Sequence, residues 1–192
     1  PITAHAYQRN LVAKETIDNV TGVSVREEYT YDDLHRTTLP QTMTAVNSDG
    51  KTYTTEYKYT FEDDDPVSQL MAGNYVMLDF LVGERTLCDG RELMNTKTKY
   101  VQHGEWFYPE YEYKSVLGGA FFETAHYDGY DDKGNPLTII SNAADTASVI
   151  WGYGSCLPVA KVVGFGRSGL SSYANTVNSL ETTSSPTLLG SK

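Results

Sequence analysis

The sequence predicts an all-β fold: an antiparallel meander of hairpins, rolled or stacked into a sheet, with one or two short helices. Apolar and polar residues alternate over short runs, and Asp-Gly or Gly-Asn-Pro sequences that favour turns separate those runs. Aromatic residues make up 12% of the 192 residues, and 15 of them are tyrosines. Amphipathic rings of this kind suit half-buried pleated surfaces.

The alternating runs follow one another along the first half of the chain. They cover residues 22–32, 39–46, 51–61 and 92–101. Asn47-Ser48-Asp49-Gly50 separates the second run from the third, and Asp89-Gly90 precedes the fourth. An Asp-Gly pair accepts the positive φ of a tight turn, so these runs are expected to pair as hairpins.

One short helix is predicted after the acidic run Glu62-Asp63-Asp64-Asp65. Asp65 is placed to cap it, Pro66 suits its first position, and Gly73 can end it. Three apolar residues share one face of this segment: Val67, Leu70 and Met71. The helix is expected to cover one end of the sheet.

A second helix is predicted over 171–180, near the end of the chain. Its apolar stripe consists of Tyr173, Val177 and Leu180. We therefore expect a β-rich domain over 1–164, followed by a short helix and a flexible tail or linker over 165–192. Because that tail is polar, we expect the chain to be a segment of a larger protein, with any export signal removed or upstream.

The acidic composition argues against two kinds of partner. A net charge of -10 and a pI near 4.8 disfavour nucleic acid and anionic lipid, which bind through clustered lysines and arginines. No run of roughly 18 apolar residues occurs, so no direct membrane span by a helix is expected.

The tryptophan and tyrosine residues between 106 and 113 switch from even-numbered to odd-numbered positions. Trp106 and Tyr108 share one parity, and Tyr111 and Tyr113 share the other, which predicts a bulge or an edge strand at Pro109-Glu110. Exposed rings could stack on a sugar, so Trp106, Tyr108 and Tyr111 are candidate ligand-stacking residues. We prefer packing in the core for most of these rings, because alternation places most of them on one face.

Three segments in the last third of the chain stand in a definite order. They are Tyr127-Asp128-Gly129-Tyr130-Asp131-Asp132-Lys133-Gly134-Asn135-Pro136-Leu137, Ile150-Trp151-Gly152-Tyr153 and Leu157-Pro158-Val159-Ala160-Lys161. This order resembles the Rhs-type, or YD-repeat, pattern of large secreted or surface proteins of Gram-negative bacteria. In that pattern a Tyr-Asp strand, a Gly-Asn-Pro turn, a Trp-Gly-Tyr strand and a Pro-Ile-Ala-Lys-like strand follow one another. The sequence shows one well-formed unit, and neither the toxin tail nor the closed toxin cage of Rhs effectors is expected.

Packing and turn formation explain the residues of the motif without any catalytic role. Tyr127 and Tyr130 would pack on the sheet, Asp128 would close an Asx turn, and Trp151 and Tyr153 would share one face around Gly152. The motif or structural residues are Tyr127, Asp128, Gly134, Asn135, Pro136, Trp151, Gly152 and Tyr153. Gly134 would supply positive φ, and Pro136 would start the next strand.

The resemblance implies a ribbon of strands that stacks on its sequence neighbours in an extracellular or cell-surface protein of the bacterial outer membrane. The expected function is a non-catalytic structural module whose partner is the rest of its own polypeptide or a surface protein assembly. A glycan- or peptide-binding module is the first alternative. A fragment of a secreted glycoside hydrolase is the second, and it would require two carboxylates across an open cleft.

No catalytic residue, metal ligand or cofactor site is predicted. The histidines, His5, His35, His103 and His126, lack metal-ligand spacing, and Gly154-Ser155-Cys156 lacks the context of a nucleophile elbow. The acidic run at 62–65 and the aspartates at 128, 131 and 132 could bind calcium, but turn and helix-start roles are preferred. Cys88 and Cys156 could form one bridge or remain free thiols.

Overall fold

The computed structural model describes residues 10–32, 38–141, 145–170 and 172–177. These residues form eleven strands in one antiparallel sheet, and the strand order in the sheet is the order in the sequence. The strands are β1 (Ala13–Ile17), β2 (Ser24–Tyr31), β3 (Pro40–Val46), β4 (Thr52–Tyr59), β5 (Leu81–Cys88), β6 (Arg91–His103), β7 (Trp106–Val116), β8 (Phe122–Tyr127), β9 (Thr138–Ser141), β10 (Asp145–Gly152) and β11 (Leu157–Val163). The predicted all-β meander with short helices is confirmed.

Both Asp-Gly turns form as the sequence predicts. In the β3–β4 turn, the N–H of Asn47 donates to the carbonyl of Lys51 at 3.0 Å, and Gly50 has φ 76°. In the β5–β6 turn, Asp89 and Gly90 have φ 49° and 76°. Two consecutive positive φ values match the twist of the flanking strands, so this turn sets the register of a tight hairpin.

Alternation is clear in β2 and weaker in β4. In β2 the side chains alternate between exposed and half-buried, with Tyr29 and Tyr31 on the half-buried side. In β4 residues of both parities are half-buried. The hydroxyls of Thr44 and Thr54 lie 3.2 Å apart and Arg85 Nη1 is 3.2 Å from a carboxylate oxygen of Glu56, so cross-strand contacts cover the polar face of this interior strand.

Helix α1 (Pro66–Asn74) begins as predicted and ends later than predicted. Asp65 accepts a 2.9 Å hydrogen bond from the backbone N–H of Val67, and Pro66 occupies the first helical position. The helix continues through Gly73, and the first residue with positive φ beyond it is Val76, at 56°. Gly73 therefore does not end α1, because the left-handed residue lies three positions further on.

The described residues fall into two compact units. The first combines those within Pro1–Thr98 with Lys114–Phe122, and the second combines Lys99–Tyr113 with those within Glu123–Lys192. Each has its own small core. The buried apolar residues of the first are Tyr59, Met71, Val82 and Leu87, and those of the second are Phe107, Ala125, Ile150 and Leu170.

Pro109 lies within β7, between β6 and β8 in the sheet order. The edge-strand alternative for this segment is therefore wrong. The bulge alternative stays a prediction. On a strand without a bulge, residues three apart point to opposite faces. Tyr108 and Tyr111 accordingly contact different neighbours, as described below.

The second predicted helix is present where the chain is described. Residues 172–177 are helical, and the short 3-10 turn Arg167–Gly169 precedes them. Leu180 and the tail from 181 to 192 lie outside the described residues. The domain boundary at 164 stays a prediction, since residues 171 and 178–192 are not described.

Candidate functional site

The loop that follows β8 is organised by the carboxylate of Asp131. Its Oδ1 accepts hydrogen bonds from the backbone N–H groups of Lys133 and Asn135, both at 2.9 Å, and its Oδ2 accepts one from the Asn135 side chain at 3.0 Å. Partial burial by itself would raise the pKa of Asp131. The hydrogen bonds from Asn135 and Lys133 outweigh it and hold that pKa below its ordinary value.

Two further hydrogen bonds connect this loop to β10 and to the β10–β11 turn. The side-chain amide of Asn135 donates to the carbonyl oxygen of Ser155 at 2.7 Å. The indole Nε1 of Trp151 donates to the carbonyl oxygen of Pro136 at 2.9 Å. The Tyr-Asp, Gly-Asn-Pro and Trp-Gly parts of the pattern are thus in direct contact.

Tyr127 and Tyr130 pack on β7. The hydroxyl of Tyr127 donates to Glu112 at 2.9 Å, and that of Tyr130 donates to the carbonyl of Pro109. The Tyr130 ring stacks on Tyr108 with 4.5 Å between centroids. Partial burial, followed by the hydrogen bond to Glu112, raises the pKa of Tyr127 to about 12. Burial also raises the pKa of Tyr130.

Gly134 lies against the Tyr108 ring. It has φ 84°, and a β-carbon there would come within 2.5 Å of the Tyr108 hydroxyl oxygen. A side chain at this position would therefore meet both backbone strain and a steric clash. The predicted need for glycine at 134 is confirmed, with a second cause that the sequence did not indicate.

Three details of the motif differ from the prediction. The carboxylate that organises the loop is that of Asp131, three residues beyond Asp128. Pro136 forms an isolated bridge with Tyr130, and β9 begins only at Thr138. Tyr153 does not share a strand face with Trp151, because β10 ends at the buried Gly152 and Tyr153 turns away with φ 56°.

The three candidate stacking rings do not form one platform. Trp106 is 66% exposed at the start of β7. Tyr108 packs on Tyr130, whereas Tyr111 stacks on His126 with 4.3 Å between centroids. His126 and Tyr127 are consecutive in β8, so Tyr111 lies on the face opposite the Tyr127–Tyr130 cluster.

The acidic run before α1 is engaged in local structure. Glu62 accepts a 3.0 Å hydrogen bond from the backbone N–H of Tyr59, Asp63 pairs with Lys58 at 2.7 Å, and Asp65 caps the helix. These partners favour the helix-start interpretation of the run over a calcium site. Within residues 10–32, 38–141, 145–170 and 172–177, no group of three or more His, Cys, Asp or Glu side chains could hold a metal ion.

The remaining candidate groups are dispersed. His5 and His35 lie outside the described residues, and His103 ends β6. Gly154-Ser155-Cys156 lies in the turn between two antiparallel strands, not in a strand-to-helix elbow. Cys88 and Cys156 are both free thiols. No helix in the described part of the chain combines the length and the hydropathy needed to cross a membrane.

The first unit carries a polar cleft of about 390 Å³ on β2 and β3. Arg26 and Glu28 line it and pair with each other at 3.0 Å, and both side chains are more than 60% exposed. An exposed pair of this kind contributes little to stability. Glu28 is the one carboxylate among the residues that line this cleft.

The second unit carries an apolar cleft of about 480 Å³ that the sequence did not indicate. Ile150 of β10 and Ala160 and Val162 of β11 form one wall, and Phe165, Leu170 and Val177 form much of the other. Ser148 donates to the carbonyl of Phe165 at 2.9 Å and so holds the two walls together. Residues 146–180 contain no Asp or Glu in a chain of net charge -10, a feature of the sequence on which none of the predictions above rests.

The sequence matches no protein-family model and no curated protein.

Proposed function

We propose that this chain is a non-catalytic structural and interaction module of a larger secreted or cell-surface bacterial protein, built like a YD-repeat segment of an outer-membrane-associated assembly. The observation that carries the proposal is the hydrogen bonding of the motif. Asp131, Asn135 and Trp151 direct their polar groups to backbone atoms of the same unit. A motif whose polar groups bond internally determines a fold, and it leaves few of those groups for a substrate.

The two clefts described above favour a structural function over a hydrolase. A glycosidase needs two carboxylates roughly 5 to 10 Å apart across the scissile bond. The polar cleft is lined by Glu28 alone among acidic residues, and that carboxylate is paired with Arg26. No acidic residue lines the apolar cleft. Neither cleft therefore offers the pair of acids that the hydrolase alternative requires.

Glycan binding is the second candidate, and it rests on Trp106. This ring follows the β6–β7 turn and is 66% exposed, so its face is accessible to a sugar. If a glycan binds there, Trp106→Ala should abolish its retention on a glycan array, whereas Trp151→Phe should not. Retention that survives Trp106→Ala would contradict this candidate.

The structural proposal is tested by where the protein is found in the cell and by whether it hydrolyses glycosides. An antibody against this chain, applied to fractionated cells of the source organism, should detect the protein in the outer-membrane fraction or the medium. The purified chain should hydrolyse none of a panel of chromogenic glycosides. A cytoplasmic location would contradict the surface assignment. Glycoside hydrolysis that disappears when one pair of carboxylates is substituted would contradict the non-catalytic assignment.

A further inference from the structure

Among the strands that the structure describes, β11 lies at an edge of the sheet and pairs with β10 alone. About half of its backbone hydrogen-bonding groups are not used by any of these strands. The N–H of Gly164 donates to the carbonyl of Thr146 in β10 at 2.7 Å. This bond shows which residues of β11 point their N–H and C=O groups towards β10 and which point them away. Lys161 and Val163 have the opposite parity to Gly164, so their N–H and C=O groups point away from β10.

The apolar cleft lies along this same edge. Ala160 and Val162 face it from β11, and Ile150, directly opposite Ala160, faces it from β10. No residue of β9 lines it. A strand added to the outer edge of β11 would place every second side chain on the face of the sheet where the cleft lies.

The charge around the edge indicates the polar character of the partner. Lys161 and Arg167 are the charged residues between 146 and 180, and both are positive. Lys161 lies opposite Val149, on the face of the sheet away from the cleft. An acidic side chain in an added strand could therefore pair with Lys161 while its apolar neighbours enter the cleft.

We propose that the outer edge of β11 and the adjoining apolar cleft bind an extended peptide strand that has apolar residues at alternate positions and an acidic residue between them. Backbone hydrogen bonds to Lys161 and Val163 would supply affinity, and the cleft and Lys161 would select side chains. This inference rests on the proposed interaction function and names the partner's chemistry. Val159 and Val163 are 40% and 60% exposed, so the edge is accessible to such a strand.

The test uses a fluorescein-labelled peptide, Ser-Val-Glu-Val-Ser-Val-Ser, and fluorescence anisotropy with the whole chain. Saturable binding is expected. A peptide with lysine in place of glutamate should bind about threefold more weakly, as an exposed ion pair predicts. A peptide N-methylated at the alternate residues whose N–H groups would face β11 should not bind, because it lacks the required donors.

Val163→Pro is the main variant. It removes an N–H that points away from β10, so the sheet keeps its own hydrogen bonds, and affinity should fall about tenfold. Lys161→Glu is the second variant and keeps the test valid if the proline variant does not fold. It should reverse the preference between the glutamate and lysine peptides.

Several outcomes would overturn the inference. They are an absence of saturable binding, equal binding of the N-methylated peptide, or affinities unaffected by both variants. A concentration-dependent dimer that Val163→Pro abolishes, with no peptide binding, would assign the edge to a second copy of the chain. Failure of peptide binding leaves the structural proposal intact, whereas glycoside turnover would contradict that proposal whether or not the peptide binds.

Discussion

The indole Nε1 of Trp151 donates a 2.9 Å hydrogen bond to the carbonyl oxygen of Pro136, which lies 15 residues earlier in the chain. Trp151 is near the end of β10, and Pro136 is bridged to Tyr130 across the Tyr-Asp loop. This bond connects the two most recognisable parts of the pattern. Its consequence is that the Tyr-Asp loop and β10 support each other.

Trp151→Phe keeps an aromatic ring and removes this hydrogen bond. We expect the free energy of unfolding in urea to fall by about 1 to 2 kcal/mol, because a half-buried carbonyl loses its donor and the ring becomes smaller. Trp106→Phe is the matched control, since Trp106 is 66% exposed, and it should change stability by less than about 0.5 kcal/mol. Equal effects of the two substitutions would contradict a role for the Trp151 bond.

Gly134→Ala should destabilise the protein more than Gly154→Ala. Both glycines have positive φ, 84° and 65°, so both substitutions introduce backbone strain of about 1 kcal/mol. A β-carbon at 134 would also lie 2.5 Å from the Tyr108 hydroxyl, whereas one at 154 would meet nothing within 4 Å. Thermal unfolding should show an extra loss of about 1 to 3 kcal/mol at 134.

The contact with Tyr108 can be tested directly. In a Tyr108→Ala background the difference between Gly134→Ala and Gly154→Ala should shrink, because the clashing ring is gone. An unchanged difference would mean that the cost at 134 has another source.

Stability should depend on pH through Asp131. The pKa of this carboxyl is depressed in the folded state, so its contribution is fully present above the ordinary value of 3.8 and is lost as pH falls through the depressed pKa. Asp131→Asn should lower stability at neutral pH and reduce the loss on acidification. Asp132→Asn, at an exposed position in the same loop, is the control and should leave the urea midpoint at pH 7 unchanged.

Tyr127 should contribute to alkaline unfolding. Its pKa rises from 10 to about 12 on folding, so its contribution is full below pH 10 and declines as pH rises towards 12. Tyr127→Phe should make stability fall less steeply across this interval. Tyr173→Phe, which changes a ring that is 63% exposed, serves as the control, and an identical slope for Tyr127→Phe and wild type would contradict the expectation.

Met71→Ala tests the small core of the first unit. Met71 belongs to α1 and its side chain is fully buried, so we expect a loss of about 2 to 5 kcal/mol in the free energy of unfolding. Val20→Ala changes a side chain that is 95% exposed and should cost less than about 0.5 kcal/mol. A loss at Met71 no larger than at Val20 would show that α1 is not needed to hold this core.

Much of the fold was predictable because it depends on neighbours in sequence. The alternation around Tyr29 and Tyr31, the turn at Asp89-Gly90 and the start of α1 at Asp65 and Pro66 all follow from local preferences. The contacts of the candidate site were less predictable, because they join residues from different strands. The sequence predicted that most rings of β7 share one face, whereas Tyr108 meets Tyr130 on one face and Tyr111 meets His126 on the other.

The errors in the motif have a common cause. Asp128 and Asp131 are both aspartates near a turn, and only the path of the loop brings the second one to the N–H groups of Lys133 and Asn135. Tyr153 has the parity of Trp151, but β10 ends between them at Gly152. Residue type indicates what a group can do, whereas the course of the backbone selects which group does it.

The class of the fold, the succession of hairpins and the position of α1 follow from local features of the sequence. Periodicity, turn residues and caps act over a few residues, so they can be read in order along the chain. Three features arise only when the chain is folded: Asp131 organises the Tyr-Asp loop, Gly134 lies against Tyr108, and an apolar cleft adjoins the outer edge of β11. These features depend on residues that are distant in sequence and meet only when strands pair, so no local pattern encodes them.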